Sequence, residues 1–366
     1  MHGSDRYRTG GPGSRGDAVK ILIVKMSAIG DVLHTLPALN ALREHFPEAE
    51  ITWLVEEAAA DLVVGHTALN RVIISGRKRW VQDLFSPSRM NTIREIIVFL
   101  RTLRDTRYDV VLDFQALLKS AAMVALARGS RKIGFDRGMD HMEHSYLLLN
   151  ERIPPVSMEV HALVRNLMML RPLGIRTQKV TYGLPIGAKD RERARMLLQM
   201  TDGSSGRRRI AVNPVAKWPT KLWEPDKFSK LADRMAKQLD ADVFFTGSAE
   251  DKPMIDGITR KMSCRFWNLA GKTSLKELAA LYEQVDLLVS TDTGPMHLGA
   301  AVETPVVALF GPTAPWRTGP FGNRHRVVRA DVHCSPCFKR DCETAVCMNN
   351  ISVEHVFREV KKAAMG

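Results

Sequence analysis

The sequence predicts an α/β protein built as two doubly wound domains, and three observations carry that prediction. Short apolar runs alternate with amphipathic stretches, at the spacing of parallel strands joined by right-handed crossovers. The pattern breaks off in a polar, charged segment near residue 190 and then restarts. At 366 residues, with 45% hydrophobic and 25% charged residues, the chain is long enough for two ordinary cores and has a globular composition.

In the first half, residues 21–25 (ILIVK) form an apolar run that ends near Gly30-Asp31 and leads into an amphipathic stretch, the signature of strand, glycine-bearing loop and helix. Further strands are predicted at 51–55, 72–74 and 110–113, the last after an apolar-periodic helix at 93–103. After the break, strands are predicted at 210–212, 242–246, 287–290 and 305–310, with helices at 225–239, 275–284 and 295–302. The expected layout is a disordered leader (1–18), two Rossmann-like domains (19–190 and 191–350) facing each other across a cleft, and an amphipathic C-terminal helix (351–366) that can pack back on the first domain. Ligands of such folds bind at the carboxyl ends of the strands, so a donor would be held by one half and an acceptor by the other. The fold alone does not settle the function.

The leader is rich in Gly, Arg, Ser and Asp and has no apolar core of the kind a secretory signal carries. No run approaches the roughly 18 apolar residues of a membrane-spanning helix. A cytoplasmic protein is expected. Lys and Arg number 53 against 40 Asp and Glu, a net charge of +13 that calls for an anionic partner. Nucleic acid is disfavoured as that partner: zinc-finger spacing, an RNP-type aromatic motif and long basic runs are all missing. A phosphorylated substrate or an anionic membrane surface remains. The cluster Arg77-Lys78-Arg79-Trp80 could touch a membrane, although a solvated helix start is the simpler reading.

Three segments carry chemistry. In STDTGPMHLGAA (290–301) a buried strand delivers Asp292, Thr293 and Gly294 to a turn, and Pro295 opens the next helix. Free N–H groups and the positive end of the helix dipole make an anion site there; a well-capped helix with an internal His297 is the alternative. In KWPTKLW (217–223), Lys221 sits in the first strand-to-helix loop of the second half, where it can neutralise a phosphate or simply lie on the surface beside Trp223. In KMSAIGDVLHTLP (25–37), Asp31 stands where the first strand turns into the first helix. It is either a base for an acceptor hydroxyl or a helix cap. The GxGxxG fingerprint of dinucleotide-binding enzymes is missing at this turn. Asp240-Ala-Asp242 matches the D-x-D of metal-dependent transferases, but Asp242 leads straight into a buried strand and is an ordinary strand-entry residue.

Together, KMSAIGDVLHTLPAL (25–39), the Lys221-Leu-Trp loop, and STDTGPMHLGAA with TPVVALFGPT (304–313) resemble the ADP-heptose:lipopolysaccharide heptosyltransferases, glycosyltransferases of the GT-B fold. The resemblance covers the chain from about residue 20 to the end. It implies Asp31 as catalytic base, Lys221 as donor-phosphate lysine, and Asp292, Thr293, Gly294 and His297 as the donor pyrophosphate loop. Glu250 matches the residue on the donor ribose, and Thr273 and Leu275 match the segment flanking the adenine. Gln115 and Lys119, in DFQALLKSA, resemble acceptor-facing positions, with Lys119 suited to a Kdo carboxylate. The implied substrates are ADP-heptose and Kdo-lipid A or a heptosylated core acceptor, with inversion and with no metal required for chemistry. The opening motif and DFQALLKSA favour first-heptose transfer, while the loop 213–221 has Val215 and Ala216 where first-heptose enzymes have paired threonines. The implied site of action is the cytoplasmic leaflet of the inner membrane, reached peripherally. Two other classes fit the architecture: a nucleotide-sugar 2-epimerase and an inactive binding scaffold.

Four of the five cysteines form Cys334-x2-Cys337-x4-Cys342-x4-Cys347. They could wrap a structural zinc through thiolates, remain free or redox-labile thiols, or pair as disulfides. Free thiols are favoured, because cytosolic proteins rarely keep structural disulfides.

Overall fold

A computed structural model of the chain describes residues 18–87, 89–139, 143–199 and 206–365. Apart from Ala18, the expected leader lies outside the described residues, as does the polar run 201–205. The described chain divides into two compact units between Pro185 and Ile186.

The first unit holds β1 (Lys20–Val24), α1 (Ile29–Leu33), α2 (Leu36–His45), β2 (Glu50–Glu56), β3 (Arg71–Ser75), α3 (Arg77–Asp83), α4 (Arg89–Arg104), β4 (Arg107–Asp113), α5 (Leu118–Leu126), β5 (Arg128–Phe135) and β6 (Glu151–Ile153). Its six strands are parallel, in the order β3-β2-β1-β4-β5-β6. Ile21 to Val24 are completely buried, as a strand covered by helices on both faces must be. Helix α4 turns Phe99 and Leu103 inward, and Phe99 meets the buried Trp80 of α3 edge-on at 5.2 Å between ring centres.

The second unit holds α6 (Ala188–Leu198), β7 (Arg208–Asn213), α7 (Pro225–Gln238), β8 (Ala241–Phe245), β9 (Phe266–Asn268), α8 (Leu275–Tyr282), β10 (Leu287–Thr291), α9 (Gly294–Ala301), β11 (Val306–Leu309), β12 (Arg326–Val328) and α10 (Val353–Met365). The sheet order is β12-β11-β10-β7-β8-β9, again all parallel. This is the strand order of the first sheet repeated: the unit's first strand is central, flanked by its second and fourth strands. Helix α7 buries Phe228, Leu231, Ala232 and Met235, the i, i+3, i+4, i+7 stripe of a surface helix.

Four strands escape the sequence pattern. β6, β9 and β12 have three residues each, too few to show a period, and β5 (RGSRKIGF) is masked by its cations and glycines. Helix α9 starts at Gly294, so Pro295 holds its second position and not its first. The C-terminal helix, expected back on the first domain, belongs to the second unit. Val356, Phe357 and Val360 of α10 are buried in that unit's core, and the helix packs on α7, β11 and β12. Its apolar face is thereby covered.

Trp223 locks this arrangement. It is fully buried, meets Phe228 edge-on at 4.9 Å, and its indole N–H donates to the Ile351 carbonyl at 3.0 Å. Trp223→Ala should lower unfolding free energy by about 3–5 kcal/mol through cavity formation. Trp223→Phe should cost about 1–3 kcal/mol by orphaning the buried carbonyl. Urea denaturation checks both, and a Phe variant as stable as wild type would show that the hydrogen bond contributes nothing.

Candidate functional site

In a doubly wound sheet the loops diverge where the strand order reverses, and that is where ligands bind. The order reverses between β1 and β4 in the first unit and between β7 and β10 in the second. The sequence-predicted residues Asp31 and Gln115 follow β1 and β4. Lys221 and Asp292 follow β7 and β10.

In the first unit Asp31 occupies the third position of α1, not its cap. Its Oδ2 accepts the Ala28 N–H at 3.1 Å, and Oδ1 has no hydrogen-bond partner among the described residues. The loop ahead of it is fixed from β4: Gln115 Oε1 accepts the N–H groups of Met26 and Ser27 at 3.0 and 2.9 Å. The Lys119 ammonium donates to Ser27 Oγ and lies 3.4 Å from Glu56 Oε1. Gln115 and Lys119 thus both hold the loop that presents Asp31.

Beneath them lie buried charges that sequence reasoning missed. Lys25 donates to the Phe114 carbonyl at 2.9 Å. Burial pushes its ammonium below the ordinary lysine value, against the opposing pull of Asp31 and Asp113. Burial likewise raises Asp113, although the Gln115 and Ala116 N–H groups and the Ser120 hydroxyl all donate to its carboxylate. Glu56, at the end of β2, is buried and faces Arg77 at 2.9 Å, Lys78 at 3.6 Å and Lys119 at 3.4 Å. The cations at 77–79 are therefore all paired with acids, although Lys78 and Arg79 stay exposed and only Trp80 is buried. Arg77 and Lys78 pair with Glu56, Arg79 pairs with Glu57 and Glu95, and the Trp80 indole donates to Glu95 at 2.9 Å. A run of charges before an aromatic gave no sign of that.

In the second unit the Lys221 and Asp292 loops meet. Lys221 Nζ lies 2.6 Å from Asp292 Oδ2, which also accepts the Thr313 hydroxyl at 2.6 Å. Thr291 Oγ1 donates to the Val215 carbonyl at 2.6 Å, so β10 and the 213–221 loop are stitched together. Thr293 is the N-cap residue of α9, Gly294 its first residue, and His297 is buried one turn along. Lys221 also stands 4.5 Å from the Trp218 ring centre, with Arg340 at 4.9 Å from the same ring. Trp218 and Thr313 lie inside the quoted motifs and Arg340 inside the cysteine segment, but nothing in the sequence assigned them a part in this cluster.

Glu250 is exposed on a short turn after β8, and Thr273 precedes the Ser274 cap of α8. Gly271 joins the two. Its N–H donates to the Gly247 carbonyl at 2.9 Å and its φ is +71°, while a Cβ there would stand 2.8 Å from the Ala249 Cα. Only glycine allows the Thr273–Leu275 segment to approach the Glu250 turn this closely. Asp242 of the D-x-D lies in β8 and pairs with Arg207 at 2.9 Å.

The zinc considered for Cys334, Cys337, Cys342 and Cys347 is not supported. Among the described residues no three His, Cys, Asp or Glu side chains are placed to hold a metal ion, and the five cysteines are free thiols. Cys347 is buried in the second unit's core beside Met348, whereas Cys342 is exposed and accepts the Ala345 N–H. The segment instead braces the Lys221 loop and the 311–313 turn. Thr220 Oγ1 donates to the Lys339 carbonyl at 2.8 Å, Ser335 Oγ to Gly311 O at 2.6 Å, and the Cys337 and Phe338 N–H groups to Pro312 O at 3.0 and 2.8 Å.

Two Rossmann-like units, one carrying a carboxylate at its switch point and the other a lysine beside a helix N-terminus, define a glycosyltransferase of the GT-B class. The chain belongs to glycosyltransferase family 9 (heptosyltransferase), whose pattern residues 96–347 match. It is 31% identical over 326 residues to lipopolysaccharide heptosyltransferase 1 of Pseudomonas aeruginosa, covering 88% of this chain and 87% of that relative. It is 29% identical to lipopolysaccharide heptosyltransferase 3 of Escherichia coli, over 78% of this chain and 80% of the relative. Among solved structures it is similar to E. coli heptosyltransferase WaaC with ADP, with a TM-score of 0.76 and 26% identity over 94% of this chain and 100% of that one.

The Glu56 cluster gives a pH prediction. Burial works to raise this carboxyl, but Arg77, Lys119 and Lys78 more than offset it, and the group ends below its ordinary 4.5. A depressed carboxylate stabilises the fold above its unfolded pKa, and that stability is lost as pH falls through the folded value. Glu56→Gln should therefore melt below wild type at pH 7, and the gap should close as pH drops below about 4.5. Thermal melts of both proteins between pH 7 and pH 3 check this; a constant gap would refute it.

Proposed function

We propose that the chain transfers a heptose from ADP-heptose to a Kdo residue of lipid A, with inversion, as the first heptose of the lipopolysaccharide inner core. The observation that carries the reading is the Lys221 ammonium, held at 2.6 Å by Asp292 beside the N-terminus of α9. A cation fixed beside the positive end of a helix dipole suits a diphosphate leaving group.

In this reading the second unit holds the donor. Lys221, Thr293 and Gly294 face the pyrophosphate with His297 behind them, Glu250 takes the ribose, and Thr273 and Leu275 flank the adenine. Asp292 acts through Lys221, since a second anion beside the diphosphate would be repelled. The first unit supplies Asp31. The acceptor oxygen bonds to the anomeric carbon as its proton passes to the Asp31 carboxylate, and ADP departs with the electrons of the broken C–O bond. Lys221 and the helix dipole bear the charge that grows on ADP, and no metal takes part. Gln115 and Lys119 border the acceptor while fixing the Asp31 loop, and Lys119 suits a Kdo carboxylate. The acceptor is lipid-borne. With a net charge of +13, and no described helix long and apolar enough to cross a membrane, the protein attaches peripherally to the anionic cytoplasmic leaflet.

The deciding experiment incubates the protein with ADP-heptose, with and without Kdo-lipid A. Acceptor-dependent ADP release and a heptosylated lipid are expected. Turnover of the donor without acceptor would point to an epimerase, and turnover only with an already heptosylated core would move the enzyme to a later step. Asp31→Asn should lower kcat by roughly 10²- to 10⁴-fold with ADP affinity nearly unchanged; wild-type turnover would reduce Asp31 to a helix residue. Lys221→Ala should weaken ADP binding, most at low salt where the contact is least screened. Calorimetric titration of wild type and variant would show it, and equal affinity of the wild type for ADP and adenosine would sink the phosphate role.

A further inference from the structure

Helices α3 and α4 and the short link between them expose an apolar surface that no part of the first unit covers. Phe85, in the link, is 92% exposed, and Val81, Leu84, Met90, Ile93 and Ile97 are exposed around it. Two periodicities organise them. Val81, Leu84 and Phe85 follow i, i+3, i+4 from α3. Met90, Ile93 and Ile97 lie on the face of α4 opposite the buried Phe99 and Leu103. Arg94 and Arg101 fall on that same outer face, and Arg89 opens the helix. None of these three arginines has an ion pair among the described residues, in contrast to Arg79, which Glu57, Asp83 and Glu95 surround. Residues 77–104 carry seven Lys or Arg and two acids, and both acids, Asp83 and Glu95, lie near Arg79.

A helix face that mixes large apolar side chains with unpaired arginines and no acid is matched to a lipid–water interface with anionic headgroups. Its position fits as well. α3 leaves the carboxyl end of β3, the sheet edge from which the Asp31 and Gln115 loops also leave, and Arg77 and Lys119 meet on the same Glu56. We propose that the α3–α4 tip is the membrane-docking element of the protein: Phe85 and its apolar neighbours enter an anionic leaflet while Arg89, Arg94 and Arg101 meet lipid phosphates. This rests on the reading that the acceptor is lipid-borne and gives that reading a defined surface. The Arg77–Trp80 cluster that the sequence singles out serves as the base of this tip, while the contact lies one to three turns further on.

The test compares the full-length protein with Phe85→Ser/Met90→Ser and Arg89→Gln/Arg94→Gln. Vesicles of phosphatidylcholine with about three parts in ten phosphatidylglycerol should sediment the wild type, and pure phosphatidylcholine should not. The apolar double variant should bind at least about 10-fold more weakly, and the arginine variant about 25-fold more weakly, at about fivefold per charge. Melting temperatures should stay at the wild-type value. Transfer to a deacylated, water-soluble acceptor should be unchanged, while transfer to acceptor embedded in vesicles falls. Wild-type vesicle binding by both variants would overturn the proposal, as would a wild type that ignores anionic vesicles. A wild type that dimerises through this face, with the dimer lost in Phe85→Ser/Met90→Ser and no vesicle binding, would assign the surface to a second copy instead. Failure of every protein on the soluble acceptor would count against the transferase reading alone, since vesicle binding is measured without turnover.

Discussion

Parallel strands impose one constraint on each unit: every strand-to-helix loop leaves from the same edge of the sheet. With the first strand central and its neighbours running outward on either side, two of those loops part company and leave a crevice. Asp31 and Gln115 occupy that position in the first unit, Lys221 and Asp292 in the second. The short apolar runs, the crossover helices and the burial of β1 and β7 on both faces all serve to hold four loops at two such points.

Charges buried behind those loops fix their shape. Lys25 and Asp113 lie under the Asp31 loop, each shifted by burial toward its neutral form and each given hydrogen-bond partners in return. Glu56 gathers three cations from α3 and α5, and so ties the docking tip to the Lys119 side of the Asp31 loop. In the second unit Asp292 holds Lys221 at one oxygen that Thr313 also reaches. Burying a charge costs desolvation free energy, which such partners offset. These networks are preorganisation: the polar groups are placed before any ligand arrives.

The cysteine segment has a comparable role without a metal. Its backbone and hydroxyls bond to Thr220 and to the 311–312 turn, next to Thr313, and Arg340 shares Trp218 with Lys221. A loop that looks in sequence like a ligand set works as a buttress for the Lys221 loop and the 311–313 turn, and Cys347 is one of the apolar groups that anchor it.

The sequence by itself determined most of the central strands, the amphipathic helices, and the placement of Asp31 just after β1 and of Lys221 and Asp292 in the loops after β7 and β10, because all of these follow from local periodicity and turn chemistry. Three-residue strands such as β6, β9 and β12 were not legible, since their existence depends on a neighbour offering a free edge. Only the tertiary structure decided that Gln115 and Lys119 grip the Met26–Ser27 loop, that Gly271 lets the loops after β8 and β9 touch, and that α10 stays with the second unit. It also separated residues that look alike in one dimension: Trp80 is core and Phe85 is exposed, Arg79 is paired and Arg94 is not. The physical reason is the same in each case. Burial and pairing are set by partners tens of residues away, and a sequence window records a side chain's character without recording what stands opposite it.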